Sequence, residues 1–313
     1  MQEKPYVTVV IPVYNEEPNL PPLINRLYPV MQQIGRPFEI IFTDDGSRDD
    51  SLSILSQMAE KYPEIGVIEF NGNFGQHMAI LAAFEKSHGE VVITLDADLQ
   101  NPPEEIPRLV AEIEKGHDVV GTIRQKRQDT LFRRVASRIV NITTNKMTGM
   151  QMSDYGCMLR AYHRNVINNI NRCEETTTFI PALAQTFSAN PSEIKVAHAE
   201  RAEGESKYSL YRLIRLNFDL MTGFSVVPLQ LFALMGILTS VFSIAFAVFL
   251  LIRRFIIGAE VEGVFTLFAI LFFFIGIIIF GIGLVGEYVG RIYQEVRKRP
   301  RYVVRKLHGF REN

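Results

Sequence analysis

The stretch Val91-Val92-Ile93-Thr94-Leu95-Asp96-Ala97-Asp98, running on into Leu99-Gln100-Asn101-Pro102-Pro103, decides the fold. A β-branched apolar run stops at two carboxylates spaced i, i+2. A third polar group follows at Gln100, and the paired prolines end any regular element. Alternate residues of an extended chain share a face, so Asp96 and Asp98 point the same way where the chain stays extended. Two carboxylates with one orientation suit a hard divalent cation, since Mg²⁺ takes one or two carboxylates together with phosphate oxygens. A solvated turn can carry the same Asp-x-Asp pattern. The strand in front of it favours a ligand, because open α/β sheets bind ligands outside the carboxyl ends of their strands.

The same geometry recurs along the first half of the chain. Val7-Thr8-Val9-Val10-Ile11-Pro12-Val13-Tyr14-Asn15-Glu16 is an apolar run that turns polar after a proline. Phe38 to Phe42 leads into Thr43-Asp44-Asp45-Gly46-Ser47, and Val67 to Phe70 leads into Asn71-Gly72-Asn73-Phe74-Gly75. Helix-like segments lie between these runs, at Asn19 to Ile34, Ser51 to Lys61, Gln76 to Ser87 and Pro103 to Lys115. Strands alternating with helices argue for βαβ units and a mostly parallel sheet. Four strand ends then converge on one edge, which collects Tyr14, Glu16, Asp44, Asp45, Asn73, Asp96 and Asp98. Such convergence reads as a site.

No Gly-x-Gly-x-x-Gly follows the first strand and no Gly-x-x-x-x-Gly-Lys-Ser/Thr occurs, so the signatures of the dinucleotide fold and the P-loop are missing. The edge is acidic, so a phosphate ligand needs a bridging metal and cations from elsewhere. Pro12-Val13-Tyr14-Asn15-Glu16, Asp44-Asp45-Gly46-Ser47 and Asp96-Ala97-Asp98, in this order, resemble the family 2 inverting glycosyltransferases of the GT-A fold. Gln100-Asn101-Pro102-Pro103, Asp154-Tyr155-Gly156-Cys157-Met158-Leu159-Arg160 and Arg201-Ala202-Glu203-Gly204-Glu205-Ser206-Lys207 look like the polyprenyl-phosphate members of that family.

The resemblance implies an α/β GT-A domain that moves one sugar from UDP to undecaprenyl phosphate. It implies Mg²⁺ or Mn²⁺ on Asp96 and Asp98, and a nucleotide-sugar site built from Pro12, Tyr14, Glu16, Asp44, Asp45, Asn73, Asp96, Gln100 and Arg124. Asp98, Asp154 and Arg201 match the catalytic positions, and Arg201, Ser206 and Lys207 the site for acceptor phosphate and diphosphate. Asp154 fits either a general base or a group orienting acceptor or sugar. Arg201 and Lys207 also fit plain contacts with lipid headgroups. A homo-oligomer, a tetramer in relatives that carry two membrane helices after the catalytic domain, belongs to the same implication. His77 has no partner histidine at ligand spacing and reads as a local polar contact.

The membrane part needs no resemblance. Neither Leu220 to Ile252 nor Gly263 to Gly286 contains a charged residue, and a bilayer core needs about 20 apolar residues of helix. The expected organisation is a catalytic domain over 1–207 and a juxtamembrane amphipathic helix over 208–223. Transmembrane helices over 229–252 and 263–286 follow, joined by a periplasmic loop over 253–262, and a basic cytoplasmic tail covers 287–313. Leu131 to Met147 combines an apolar stripe with Arg133, Arg134 and Arg138. It suits a helix in the headgroup layer or one packed on the sheet with a solvated basic face. Lys207, Arg212, Arg215, Arg291, Arg297, Lys298, Arg299 and Arg301 flank the spans on one side, against Arg253 and Arg254 in the connection. The positive-inside rule therefore places the catalytic domain and both termini in the cytoplasm, and the resemblance to polyprenyl-phosphate transferases implies a bacterial inner membrane. No signal-peptide pattern precedes Val7, in keeping with that side.

The whole chain of 313 residues carries 33 Lys and Arg against 34 Asp and Glu. That balance is a sum of acidic edge and basic membrane flank, and nothing in it points to nucleic acid. Cys157 and Cys173 lack the close spacing of a metal site and suit a reducing compartment. A processive polysaccharide synthase shares the fold but carries Gln-x-x-Arg-Trp, and this chain has no tryptophan. A non-catalytic scaffold on a decayed transferase domain is disfavoured by the intact Asp96, Asp98, Asp154 and Arg201. Within the transferase reading, glucose or another hexose remains the alternative sugar.

Overall fold

The run at Val7 forms strand β1 (Val7–Val13), buried at every position except Pro12. Helices cover both faces of a parallel strand, so its apolar residues run on without alternation. In the computed structural model, residues 4–124, 157–174, 179–196, 226–257, 264–297 and 299–310 are described. Two units result, one of residues 1–207 with 299–313 and one of 208–298.

In the first unit β1 is joined by β2 (Phe38–Asp44), β3 (Ile65–Phe70), β4 (Val91–Thr94), β5 (Val119–Arg124), β6 (Arg160–His163), β7 (Pro191–Val196) and β8 (Val304–His308). Their order across the sheet is β7-β5-β6-β4-β1-β2-β3-β8. β1 pairs in parallel with β2 and β4, and β2 with β3. The four expected strands are therefore central and run one way. The strand order reverses at β1, which opens a crevice beyond the carboxyl ends of β1 and β4. β6 is antiparallel to both β4 and β5, while β7 is parallel to β5. Helices α1 (Leu20–Gln33), α2 (Ser51–Lys61), α3 (Gln76–Lys86) and α4 (Ile106–Glu114) alternate with the first five strands, followed later by α5 (Arg164–Arg172) and α6 (Ile180–Thr186).

The main core joins Val9, Ile11, Phe42 and Ile93 of the sheet to Leu23 and Leu27 of α1, all 0% exposed. Burying one such side chain contributes about 1.5–3 kcal/mol. Pro21 and Pro22 sit in the first turn of α1, where a missing N–H costs no helical hydrogen bond. Pro12 is tolerated in a central strand for a related reason. Pairing between β1 and β4 stops at Val10 and Thr94, so Pro12 lies where that ladder has already opened.

β8 departs from expectation. Within the segment read as a basic tail, the second long helix continues to Val296, and Val304–His308 pairs antiparallel with β3 at the sheet edge. Tyr302 stacks on Phe70 with centroids 5.0 Å apart, and Asn71 N donates to Val303 O at 3.1 Å. Gly309 turns with φ +74°, and a Cβ there would lie 2.3 Å from Ile65 O, so only glycine fits.

The second unit contains α7 (Val227–Ile257) and α8 (Val264–Val296). At 31 and 33 residues they are about 46 and 50 Å long, more than a hydrocarbon core needs. Both are long and apolar enough to cross a membrane, with windows Val227–Phe246 and Phe273–Val296 at mean hydropathy 2.0. The second window lies further along the chain than the expected 263–286. The first window is 0% and the second 11% buried, unlike core helices of a soluble protein. Gly281 lets the helices approach, because the Phe232 ring occupies the space a Cβ would need.

Candidate active site

The site begins with two loops laced together at the ends of β1 and β2. Asn15 N donates to Ser47 Oγ at 3.1 Å, and Arg48 N donates to Asn15 Oδ1 at 2.8 Å. Glu16 N donates to Ser51 Oγ at 3.0 Å, and Glu16 Oε2 accepts from Asn19 Nδ2 at 2.5 Å. Asn15 holds φ +55°, a region non-glycine residues rarely occupy and one that gathers at functional sites. Gly46 has φ +72°, and a Cβ on it would come within 2.6 Å of the Gly72 backbone. The second and third loops can close together only because position 46 is glycine, whereas a Cβ on Gly72 would meet open space.

Asp44 and Asp45, adjacent in sequence, do different work. Asp45 is 3% exposed, and its two oxygens accept from Phe74 N at 2.6 Å and Gly75 N at 2.8 Å. It is a strut for the loop entering α3 and does not line the cleft described next. Burial pushes its carboxyl up, and the two amides offset that in part. Asp44 is 1% exposed. Its Oδ2 accepts from Ser47 N at 3.2 Å, while Oδ1 is buried with no hydrogen-bond partner among the described residues. Burial raises its pKa, partly countered by Ser47 and reinforced by Glu69 and Asp49.

A cleft of about 320 Å³ opens here, lined among others by Tyr14, Asp44, Ser47, Arg48, Asn73 and Arg305. Tyr14 is 42% exposed and offers an aromatic face at a strand end. The cleft thus brings together three expected residues, Tyr14, Asp44 and Asn73. It also brings in Glu69 and Arg305, which the sequence reading passed over. Glu69 had a faint signal, a charge inside an apolar strand. Arg305 had none, because its place depends on β8 pairing with β3.

Asp96 and Asp98 follow β4, on the far side of β1. The strand ends at Thr94 and the chain is already turning at Ala97 and Asp98, so the extended geometry expected for the pair gives way to a turn. Both aspartates are half-buried, with Ala97 between them 4% exposed. Gln76 Nε2 donates to Asp96 Oδ1 at 2.7 Å, and Gln100 N donates to Asp98 Oδ1 at 3.1 Å. Leu99 between them holds φ +62°, a second strained position at this edge. Among the described residues no three His, Cys, Asp or Glu gather at one point to hold a metal. Two carboxylates with hard oxygen donors suit Mg²⁺ or Mn²⁺ that completes its shell with water and phosphate.

Pro12 is half-buried at the end of β1, and Arg124 ends β5 with its backbone in register with Val196 of β7. β5 and β7 run parallel to β4, so both end on the site edge. Arg201, Ser206 and Lys207 follow β7 in sequence. β6, being antiparallel, starts on that edge with Arg160 opposite Thr94, and Asp154 precedes it. Asp154, Arg201, Ser206, Lys207, the 131–147 segment and the 208–223 segment lie outside the described residues. His77 makes an edge contact with Phe179 at 5.2 Å, and burial lowers its pKa to about 4, so this half-buried ring is neutral.

A doubly wound acidic edge with an Asp-x-Asp after β4 defines the class, and the chain belongs to glycosyl transferase family 2, which matches residues 8–170. Over nearly its full length the chain is similar to named enzymes. It is 52% identical to the undecaprenyl-phosphate 4-deoxy-4-formamido-L-arabinose transferase of Photorhabdus laumondii, covering 97% of this chain and 94% of that one. It is 53% identical to the enzyme of the same name from Pectobacterium atrosepticum, covering 96% and 93%. Among solved structures, it resembles glucosyl-3-phosphoglycerate synthase of Mycobacterium tuberculosis with Mn²⁺, UDP-glucose and phosphoglyceric acid. That match has TM-score 0.52 and 17% identity over 70% of this chain and 78% of that one. The mannosyltransferase of Pyrobaculum calidifontis with GDP-mannose and Mn²⁺ matches with TM-score 0.50 and 18% identity, over 71% and 64%. At these identities the structures establish the shared fold.

Proposed function

We propose that this protein is an inverting, metal-dependent transferase that moves 4-deoxy-4-formamido-L-arabinose from UDP to undecaprenyl phosphate at the cytoplasmic face of a bacterial inner membrane. The observation that carries this reading is near-full-length identity of about half to transferases of that name, in a chain that itself carries an acidic sheet edge and two long apolar helices. Such a lipid-linked sugar fits lipid A modification and resistance to cationic peptides. Glucose or another hexose on the same acceptor is the second reading, because no contact among the described residues distinguishes the sugars.

The reaction balances without a proton acceptor. An oxygen of the acceptor phosphate, whose second ionisation lies at about pH 6, attacks the anomeric carbon from the face opposite UDP. The bond from that carbon to the β-phosphate oxygen breaks, and its electron pair leaves with UDP. Asp96 and Asp98 would hold Mg²⁺ or Mn²⁺, which when bound supplies charge neutralisation for the diphosphate. Tyr14 offers a stacking face for the base, and the orphaned Asp44 Oδ1 accepts from its imide N–H. Arg201 and Lys207 receive the acceptor phosphate, Arg201 by a bidentate fork. Asp154 orients acceptor or sugar, or takes a proton from an acceptor that arrives protonated.

Asp44→Asn separates binding from folding. A raised native pKa means that the native state holds more protons than the unfolded one above the ordinary aspartate value. Stability therefore falls as pH rises through that window, and the loss persists at neutral pH. The amide removes this cost and can keep its oxygen toward Ser47 N, which turns an N–H donor into the cleft where the imide needs an acceptor. We expect UDP affinity at least about tenfold weaker, the scale of a charged hydrogen bond, with no fall in melting temperature at pH 7. Unchanged calorimetric affinity would remove Asp44 from the base site.

The orientation is tested with sealed vesicles and an external UDP-sugar panel. Inverted inner-membrane vesicles should convert UDP-formamido-arabinose to lipid product, and right-side-out ones should not. Conversion by right-side-out vesicles alone would reverse the topology, and preference for UDP-glucose would favour the second reading.

A further inference from the structure

We propose that the C-terminal strand is a working wall of the donor pocket, with Arg305 binding the nucleotide and Glu69 positioning it. The inference deepens the UDP-sugar reading above and rests on it.

Three observations converge on Arg305. It lines the same cleft as Tyr14, Asp44 and Asn73 although the intervening chain includes both long helices. It also sits at a break in the strand register: Glu69 pairs with Lys306 and Phe70 with Val304, which leaves Arg305 as the extra residue of a bulge. Bulges re-aim one side chain and recur beside active sites. Lastly, its side chain is 71% exposed and reaches Glu69 through Nη1 at 3.3 Å. A guanidinium carries five N–H donors in a planar fork, so one contact leaves donors for a ligand.

Charge explains why the pocket needs it. Asp44 and Glu69 both line the cleft and repel an anionic ligand. Glu69 is 6% exposed, and its second oxygen meets His308 Nε2 at 3.1 Å. Both carboxylate oxygens are thus engaged by β8, which fixes the carboxylate and offsets its charge. With Glu69 held, the Arg305 guanidinium has a buried partner at the cleft wall. The group it suits is an acceptor oxygen of a nucleoside diphosphate, on the base or on the phosphates.

The test is calorimetry of the full-length protein in detergent with Mn²⁺, titrating UDP and uridine. Wild type must bind UDP; if it does not, the donor reading itself fails, apart from any role of Arg305. Arg305→Ala should weaken UDP about ten- to a hundredfold, in the range of a lost charge-assisted contact, and Arg305→Lys should recover part. Equal loss for uridine places the contact on a base oxygen, and loss for UDP alone places it on phosphate. Glu69→Gln should weaken UDP in the wild-type background and add little in Arg305→Ala, because it acts through the arginine. Arg305→Ala binding UDP within about threefold of wild type overturns the proposal. So does a fall in melting temperature with unchanged affinity in the folded protein, which would make β8 purely structural.

Discussion

Asp98→Asn is expected to leave the protein folded in the membrane and to lower turnover by at least about a hundredfold, the scale of losing a preorganised charge contact. Asp98 is half-buried after β4, and its Oδ1 already accepts from Gln100 N at 3.1 Å. An amide with its oxygen in that position keeps the turn, which is why folding survives. What it loses is one of two formal charges at a strand end where a diphosphate must depart as an anion. With only two carboxylates in the expected donor set, halving their charge leaves little to hold a divalent ion in the presence of water. Near-normal turnover by the variant, or full wild-type activity in excess chelator, would remove the metal from Asp96 and Asp98.

Arg201→Ala should strike the other substrate. Its expected effect is poor use of the lipid phosphate with UDP binding to the free protein largely intact. The loss should be roughly 1.5–3 kcal/mol, about ten- to a hundredfold in rate at low acceptor. Arg201 follows β7, and β7 ends on the same edge as β4 and β5. Collapse of UDP affinity in Arg201→Ala, measured by calorimetry, would instead assign the guanidinium to the donor diphosphate.

How much of this could be read from residues alone follows from the physics of each element. β1 to β4 announce themselves because strands buried on both faces need continuous apolar runs, and their polar ends mark where the edge begins. β6, with Arg160 and His163 among its four residues, carries no such run and is a strand through its neighbours β4 and β5. β8 is harder still. Val304-Arg305-Lys306-Leu307-His308 is rich in charge, as an edge strand tolerates, and it pairs with residues near Val67 only through tertiary contact. It therefore reads as a tail. The site shows the same limit at finer grain. Asp44 and Asp45 are the same residue type side by side, yet neighbouring residues at a strand end face opposite ways. One reaches the cleft and the other holds the Phe74 and Gly75 amides. Composition cannot tell which; the fold around the two carboxylates decides it.

Metal-assisted transfer of one formamido-arabinose from UDP onto a lipid phosphate can be followed in a single reconstitution. Full-length protein in vesicles containing undecaprenyl phosphate is given UDP-4-deoxy-4-formamido-L-arabinose with Mn²⁺ or Mg²⁺, and both products are measured. The expected result is one UDP released per lipid glycosylated, a lipid mass increased by one sugar, inverted anomeric configuration, and loss of both products in chelator. UDP release without glycosylated lipid, retention of configuration, or equal yield without divalent metal would contradict it.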